Sequence, residues 1–232
     1  MMHIGLIGGI GPGATEYYYR GIVARHRAAG TSPELTIVHA DVRELGRNAA
    51  NDDRVSQAKA FAHLTQRLAA AGADAVAITS MGGHFCLREF AAISPLAVHN
   101  AIPAVDAAIR QRGVRTIGIL GTMTVMRTHL YGMISSANVV LPPGDALQRV
   151  HDTYIAMAEE VRVTDERRGV FFSVGRQMCD AQGAEAVMLG GTDLCLAFDG
   201  QDCGFPTIDC AAIHVEAIYR WSVGDGPASL QT

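Results

Sequence analysis

The sequence predicts an α/β protein made of two pseudo-symmetric halves, each with a parallel, Rossmann-like sheet. Two observations lead to this prediction. Short apolar runs alternate with segments of helical periodicity, and several segments recur in the same order. Runs that are apolar at every position are typical of parallel strands buried on both faces. Their alternation with helices indicates that helices cover both faces of each sheet.

The predicted elements follow from these two patterns, taken in chain order. Apolar residues follow one another without alternation in six predicted strands, at residues 4–8, 35–39, 75–79, 116–121, 186–189 and 206–209. They recur with a period of about 3.6 residues in six predicted helices, at residues 15–29, 52–71, 106–112, 152–160, 164–182 and 211–221.

Three pairs of similar segments indicate an internal repeat. IGLIG and IGILG lie 113 residues apart, GADAVAI and GAEAVML 111 apart, and PAVD and PTID 103 apart. The halves are therefore predicted to be residues 1–112 plus 208–232, and residues 113–207. Ligands of such sheets bind beyond the carboxyl ends of the strands. We expect a small-molecule cleft between the halves, with Ser80 and Gly191 facing each other across it.

Composition excludes several classes of function. The 232 residues carry a formal net charge of −4 without a basic stripe, which argues against a nucleic-acid partner. No apolar segment is long enough to cross a membrane, and no cationic leader precedes the first strand. The five cysteines lack C-x-x-C spacing and no H-x-x-x-H occurs, so neither a disulfide framework nor a metal site is expected. We expect a cytoplasmic protein.

The glycine-rich loop after the first strand contains G-x-G-x-x-A, beginning at Gly9. A dinucleotide-binding loop of this kind is followed by an acidic residue about 20 positions later. Here Asp41 lies 32 residues after Gly9, and the second copy of the strand lacks these glycines. We therefore predict no cofactor. The loop amides of Gly9, Ile10 and Gly11 are expected to bind a substrate carboxylate, although a plain tight turn also fits.

Two further turns follow predicted strands. The turn TSMGGH contains Ser80 and His84, but no G-x-S-x-G elbow is present. His84 therefore fits a helix start as well as a catalytic role. The turn LGGTD contains Thr192 and Asp193, which are suited both to capping a helix and to holding an anion at a helix start.

The loop GGIGP, the segment LGT at 120–122, the turn LGGTD and the segment PTID followed by His214 together resemble the aspartate/glutamate racemase family. The resemblance extends over nearly the whole chain. It implies two α/β halves, a homodimer, and cofactor-independent proton exchange at the α-carbon of a small amino acid.

The resemblance also implies two thiols, one in each half, which remove and return the α-proton. Here Ser80 and Gly191 replace them, and Met81 stands where relatives have Asn. A serine hydroxyl is a poor base without an activating partner, and glycine has no side chain. The expected catalytic residues are Ser80, His84 and Asp193. The expected substrate-binding residues are Gly9, Ile10, Gly11, Met81, Gly82, Thr122, Arg162, Gly191 and Thr192.

The leading hypothesis is a racemase-like isomerase acting on a small amino acid or dicarboxylate. A lyase or decarboxylase on the same scaffold, which would stabilise an enolate-like intermediate, remains open. So does a catalytically inactive homologue that binds carboxylates. The expected partner in each case is a small carboxylate or amino-acid ligand.

Overall fold

A computed structural model describes residues 1–225, which form two four-stranded parallel sheets with helices packed on them. The chain divides into two compact units. Unit 1 is Met1–Asn100 together with the chain from His214 onward, and unit 2 is Ala101–Ile213. The predicted α/β class with two parallel-sheet halves is confirmed.

Unit 1 is a sheet with the strand order β2-β1-β3-β4, together with four helices and the part from His214 onward of the last helix, Cys210–Ser222. The strands β1 and β3 pair in register from Ile4 with Ala75 to Ile7 with Ile78, and both are fully buried. The elements are β1 (Ile4–Gly8), α1 (Pro12–Ala28), β2 (Leu35–His39), α2 (Val42–Ala50), α3 (Arg54–Ala70), β3 (Ala75–Ile78), α4 (Leu87–Ile93) and β4 (Ala97–Val98).

Unit 2 repeats this topology with the strand order β6-β5-β7-β8. Its two central strands pair from Ile117 with Ala186 to Leu120 with Leu189. The elements are α5 (Ile102–Gln111), β5 (Thr116–Leu120), α6 (Met123–Arg127), β6 (Asn138–Val140), α7 (Ala146–Glu160), α8 (Asp165–Gln182), β7 (Ala186–Leu189), α9 (Cys195–Phe198) and β8 (Thr207–Asp209), followed by α10 (Cys210–Ser222).

The internal repeat is confirmed for two of its three segment pairs. The third pair was wrong, because residues 103–106 lie in α5 whereas residues 206–209 include β8. The strand of unit 1 that corresponds to β8 is β4, which has only two residues. A proline in the first turn of α5 favours a helix over a strand at this place.

The units divide at different residues from those predicted, after Asn100 and before His214. Helix α5 packs against β8, and β8 pairs with β7, so both elements belong to unit 2. The short strands β4 and β6 and the helices α2, α4, α6 and α9 were not predicted. No helix among residues 1–225 is long and apolar enough to cross a membrane.

A buried carboxylate links α5 to the chain that leads into β6. Asp106 Oδ1 accepts hydrogen bonds from the backbone N–H groups of Ser135 (2.9 Å) and Ser136 (2.8 Å). Its Oδ2 accepts from Ser135 Oγ at 3.0 Å and from Arg110 at 2.9 Å. Burial by itself would raise the pKa of Asp106, but the hydrogen bonds from the serines lower it below the usual value.

We expect Asp106→Asn to lower the free energy of unfolding by about 1–3 kcal/mol, since an amide NH₂ cannot accept the hydrogen bonds that one carboxylate oxygen accepts. Urea unfolding at pH 7 measures the difference. Asp145→Asn, at an exposed position without a side-chain cap bond, is the matched control. Equal stability of the two variants would contradict a linking role for Asp106.

Candidate functional site

The loop after β1 is closed by its own side chains. Gly9 has φ +84°, and a Cβ at this residue would lie 2.5 Å from His39 Nδ1, so only glycine fits. The Gly9 N–H donates to Thr15 Oγ1 at 2.9 Å. The amide of Gly9 therefore has an internal acceptor, and the expected carboxylate contacts of this loop are left to the buried residues Ile10 and Gly11.

The turn after β3 brings Ser80 and His84 together. The Nδ1 atom of His84 contacts the backbone of Ser80 and not its hydroxyl. His84 Nδ1 lies 2.8 Å from the backbone carbonyl oxygen of Ser80. Because a carbonyl oxygen only accepts, Nδ1 must carry the proton, and Nε2 of the neutral ring keeps a lone pair. Burial lowers the pKa of His84 to about 4. At neutral pH this imidazole is therefore uncharged, with its single ring proton on Nδ1, and it lies behind the end of β3.

The other residues of this turn lie beside Ser80. The Ser80 side chain is buried, and a Cβ on Gly82 would be 3.4 Å from its Oγ. Met81 is fully buried at the start of a 3₁₀ turn over Gly82–Cys86. Of the predicted residues in unit 1, Ser80, Gly82 and His84 thus share one strand end.

Three histidines form a buried cluster behind this strand end, which we call the histidine cluster: His84, His99 and His214. The His84 and His214 rings meet edge to face with centroids 5.7 Å apart, and His99 stacks on His214. His214 Nε2 is hydrogen-bonded to His99 Nδ1 at 3.1 Å, and its Nδ1 to the Tyr18 hydroxyl at 2.8 Å.

The pKa values of all three histidines are lowered, mainly because burial penalises the charged ring. The pKa of His99 falls to about 4, and that of His214 falls well below its ordinary value. Each protonated ring would also repel its neighbours. The cluster is consequently neutral at pH 7. His99 and Tyr18 were not predicted from the sequence, since residues 18, 99 and 214 meet only in the folded unit.

The turn after β7 contacts Tyr154, a residue of α7 that was not predicted from the sequence. The buried face of α7 comprises Ala146, Val150, Tyr154 and Met157. The Tyr154 hydroxyl donates to Asp193 Oδ2 at 3.1 Å and accepts a long hydrogen bond of 3.4 Å from the Asp193 N–H. Asp193 is thus held by a phenol rather than serving only as a helix cap. Thr192 is buried next to it.

Tyr154 occupies the space beside Gly191. A Cβ added at Gly191 would lie 2.3 Å from Tyr154 Cε2 and 2.9 Å from its hydroxyl oxygen. Among the predicted residues of unit 2, Gly191 and Asp193 thus lie against this phenol. The sequence carried no signal for Tyr154, because it lies 39 residues from Asp193 within an ordinary amphipathic helix.

Thr122 and Arg162 have local roles in unit 2. The Thr122 hydroxyl caps α6 by accepting from the Val125 N–H at 3.4 Å. His151 Nδ1 accepts from the Met123 N–H at 3.1 Å, which fixes the first residue of α6 against α7. Arg162 is exposed after the end of α7, where hydrogen bonding to Arg167 and the charges of both arginines lower the pKa of Glu160.

Three of the five cysteines are poorly suited to proton transfer. Burial raises the pKa of Cys86 to about 12 and raises the pKa of Cys179 and Cys210 above the usual value. A thiolate, not a thiol, is the active form. Cys195 is buried four residues after Gly191. Within residues 1–225, no group of three His, Cys, Asp or Glu side chains is arranged to hold a metal ion.

We expect the histidine cluster to make the protein sensitive to mild acid. Unfolded histidines titrate near pH 6.5, whereas burial lowers the pKa of His84 and His99 to about 4, so the unfolded state binds more protons between these values. The contribution of these histidines to the free energy of unfolding is fully present above pH 6.5 and is lost as the pH falls toward 4. For His84 alone the loss reaches on the order of 3 kcal/mol.

Thermal unfolding from pH 7 to pH 4 checks this expectation. His84→Asn should flatten the decline of the unfolding midpoint, whereas His63→Asn, at an exposed histidine, should leave it as in the original protein. A decline that is equally steep in both variants would show that His84 does not contribute to it.

Comparison with known proteins agrees with this architecture. The family model described as Asp/Glu/Hydantoin racemase matches residues 7–218. A candidate Asp/Glu racemase from Yersinia pestis superposes with a TM-score of 0.81 at 24% identity, over 96% of this chain and 100% of that one. An aspartate racemase homologue from Pyrococcus horikoshii gives 0.77 at 24% identity, with the same coverage.

Aspartate racemase from Picrophilus torridus gives a TM-score of 0.74 at 18% identity, over 97% of this chain and 95% of that one. At these identities the structures establish a shared fold. The family match contains the whole of β3, β5 and β7 and the turns after the strands that hold the candidate residues. The chain therefore belongs to the Asp/Glu/hydantoin racemase family.

Proposed function

We propose that the protein is a cofactor-independent, racemase-like isomerase that exchanges the proton on the α-carbon of a small amino acid or dicarboxylate. The observation that carries the proposal is the state of His84. Its Nδ1–H donates to the Ser80 carbonyl at 2.8 Å and burial lowers its pKa to about 4, so a neutral imidazole, the form that can accept a proton, lies at the end of β3. A strand end of a parallel sheet is where substrates bind.

In this proposal His84 removes the α-proton, the role that the family resemblance implies for a thiol. The C–H bond of the substrate breaks, its proton moves to Nε2, and the electron pair is delocalised into the adjacent carboxylate as an enediolate. Imidazole is the commonest general base in enzymes. The raised pKa values of Cys86, Cys179 and Cys210 support a base other than these thiols.

Substrate carboxylates are proposed to bind to backbone and hydroxyl groups that follow the ends of the strands. Fixed N–H and O–H donors stabilise the charge that builds up on an enediolate oxygen without reorganising during the reaction. Ser80 is proposed as such a donor because its side chain is buried beside Gly82. The remaining proposed contacts are Ile10, Gly11, Met81, Thr122, Arg162, Gly191 and Thr192. The homodimer stays a prediction.

A specific observation favours a lyase or decarboxylase as the second candidate. A general base works best when its pKa lies near the operating pH, whereas burial lowers that of His84 to about 4. Decarboxylation produces the same enediolate without a base, because the electron pair of the broken C–C bond stays on carbon when CO₂ leaves. Such a reaction needs the proton-returning step alone.

Deuterium exchange distinguishes these candidates. The protein is incubated in D₂O with the D and L forms of aspartate and glutamate and with methylmalonate, and the α-proton signal is followed by NMR. We expect α-deuteration with inversion, and we expect His84→Asn to lower its rate by about 10²-fold or more, the usual contribution of a general base. His63→Asn is the matched control.

Each outcome has a defined meaning once circular dichroism shows that the variants fold. Release of CO₂ or of an amine would replace the isomerase by the lyase. Calorimetric binding of these acids without exchange would identify a carboxylate-binding homologue and would overturn both catalytic candidates. Exchange that survives in His84→Asn would remove His84 as the base.

A further inference from the structure

Unit 1 contains a cleft that is lined by acidic side chains from one helix and by basic side chains from the next. Asp41 and Glu44 line it at the start of α2, and Lys59 and His63 line it from α3. These four residues define what we call the α2–α3 cleft. Its volume is about 460 Å³. Sites for small molecules usually measure about 300–1,000 Å³, so the cleft is large enough for such a ligand.

The α2–α3 cleft is separate from the candidate catalytic residues of unit 1. Ser80 and His84 follow β3, whereas the cleft lies at the end of β2, an edge strand of the sheet. His39 is the last residue of β2 and lines the cleft, and a Cβ at Gly9 would lie 2.5 Å from its Nδ1 atom. His39 thus borders both the cleft and the loop after β1.

The acidic side of the cleft has one carboxylate whose charge is not matched. The two carboxylate oxygens of Asp41 accept hydrogen bonds from the Arg43 side chain at 3.2 and 3.1 Å, which gives this group a partner of its own. Glu44 is exposed and forms no ion pair with any of residues 1–225. The ammonium group of a ligand can therefore pair with Glu44.

The basic side has a cation in the same condition. Lys59 is exposed on α3. Hydrogen bonds from Ser56, and after them the charge of Lys59, lower the pKa of Asp53. No ion pair joins Lys59 to Asp53, to Glu44 or to another carboxylate in the described part of the chain. The carboxylate of a ligand can therefore pair with Lys59.

A buried amide adds a second group that can bind a carboxylate. Gln57 lines the cleft, although only 2% of the residue is exposed. Its Oε1 accepts from Asn48 Nδ2 at 2.9 Å, whereas its NH₂ group has no acceptor among the residues that the structure describes. A buried donor without an acceptor costs stability. A ligand oxygen in the cleft supplies that acceptor.

We propose that the α2–α3 cleft binds a free α-amino acid with an apolar side chain. Its ammonium group pairs with Glu44, and its carboxylate pairs with Lys59 and the NH₂ group of Gln57. Its side chain packs on Ala60 and Leu64, the half-buried apolar residues that α3 contributes to the cleft. This binding site does not depend on the proposed function.

A zwitterion fits the cleft better than a ligand with charge of one sign. A carboxylic acid without an amine brings its negative charge toward Asp41 and Glu44, and a simple amine leaves Lys59 without a partner. Ion pairs at exposed side chains contribute little each, because water and salt screen them. We therefore expect dissociation constants in the millimolar range.

Lys59 provides a direct probe of the cleft, since it is the only lysine in the 232-residue sequence. Reductive methylation with ¹³C-formaldehyde labels its amine and the N-terminal amine, and methylation keeps the charge of a lysine. The methyl signal that is missing from the NMR spectrum of Lys59→Arg belongs to Lys59. We expect L-leucine to shift this signal saturably and to leave the N-terminal signal in place.

Two analogues test whether both charges of the ligand are needed. N-acetyl-leucine lacks the ammonium group, and leucinamide lacks the carboxylate. Each should bind about tenfold or more weakly than L-leucine, because it loses a charge-assisted hydrogen bond. Equal binding of N-acetyl-leucine would indicate a plain anion site, and equal binding of leucinamide a plain cation site. Either result, or the lack of any shift with L-leucine, would overturn the proposal.

A pair of variants locates the ammonium contact. Glu44→Gln should weaken the binding of L-leucine about tenfold and remove its advantage over N-acetyl-leucine, as expected of groups in direct contact. Glu34→Gln, at an exposed glutamate before β2, is the matched control and should change neither. Circular dichroism checks that both variants fold. An advantage of L-leucine that persists in Glu44→Gln would contradict the pairing with Glu44.

Discussion

The candidate groups depend on one constraint, the parallel pairing of the first strand of each unit with its third strand. β1 and β3 end side by side, and so do β5 and β7, with Ile7 opposite Ile78 and Leu120 opposite Leu189. Because the strands are parallel, both turns leave at the same edge of the sheet. The side chains after the strands are therefore neighbours within each unit, however far apart they lie in sequence.

The close approach of these strand ends explains their glycines. In unit 1 the first turn of α1 and the turn after β3 meet through the hydroxyls of Thr15 and Thr79, whose oxygens lie 3.3 Å apart. In unit 2 a Cβ at Gly121 would lie 3.2 Å from the backbone nitrogen of Gly191. Glycine at residues 121 and 191 lets the two backbone segments pack against each other. The glycines after these strands are therefore required first for packing. The chemical groups then come from residues that reach over them.

Burial decides the protonation state of those groups. The histidine cluster is neutral because a charged ring would lose its hydration, and the phenol of Tyr154 is protonated for the same reason. Each unit thus holds a buried titratable side chain in its uncharged form near the end of its third strand.

The sequence by itself determined the α/β class, the repeat of the central strands, and the positions of Ser80 and Gly191 in the turns that follow two of the repeated strands. These features depend on apolar runs and glycines that are local in the sequence. It did not reveal the edge strands β4 and β6, which have two and three residues and little apolar periodicity. It also misplaced residues 103–106, because four similar letters do not distinguish a helix start from a strand.

Tertiary structure alone decided which groups meet at each strand end. Tyr154 reaches Asp193 across 39 residues, and His214 reaches His99 across 115. Neither pair leaves a local pattern, since each partner looks like an ordinary residue of its own helix or loop. The protonation states were likewise beyond the sequence, because desolvation depends on how many neighbours cover a side chain. Spacing along a chain predicts where strands end, but only packing determines which side chains meet at those ends and whether they are protonated.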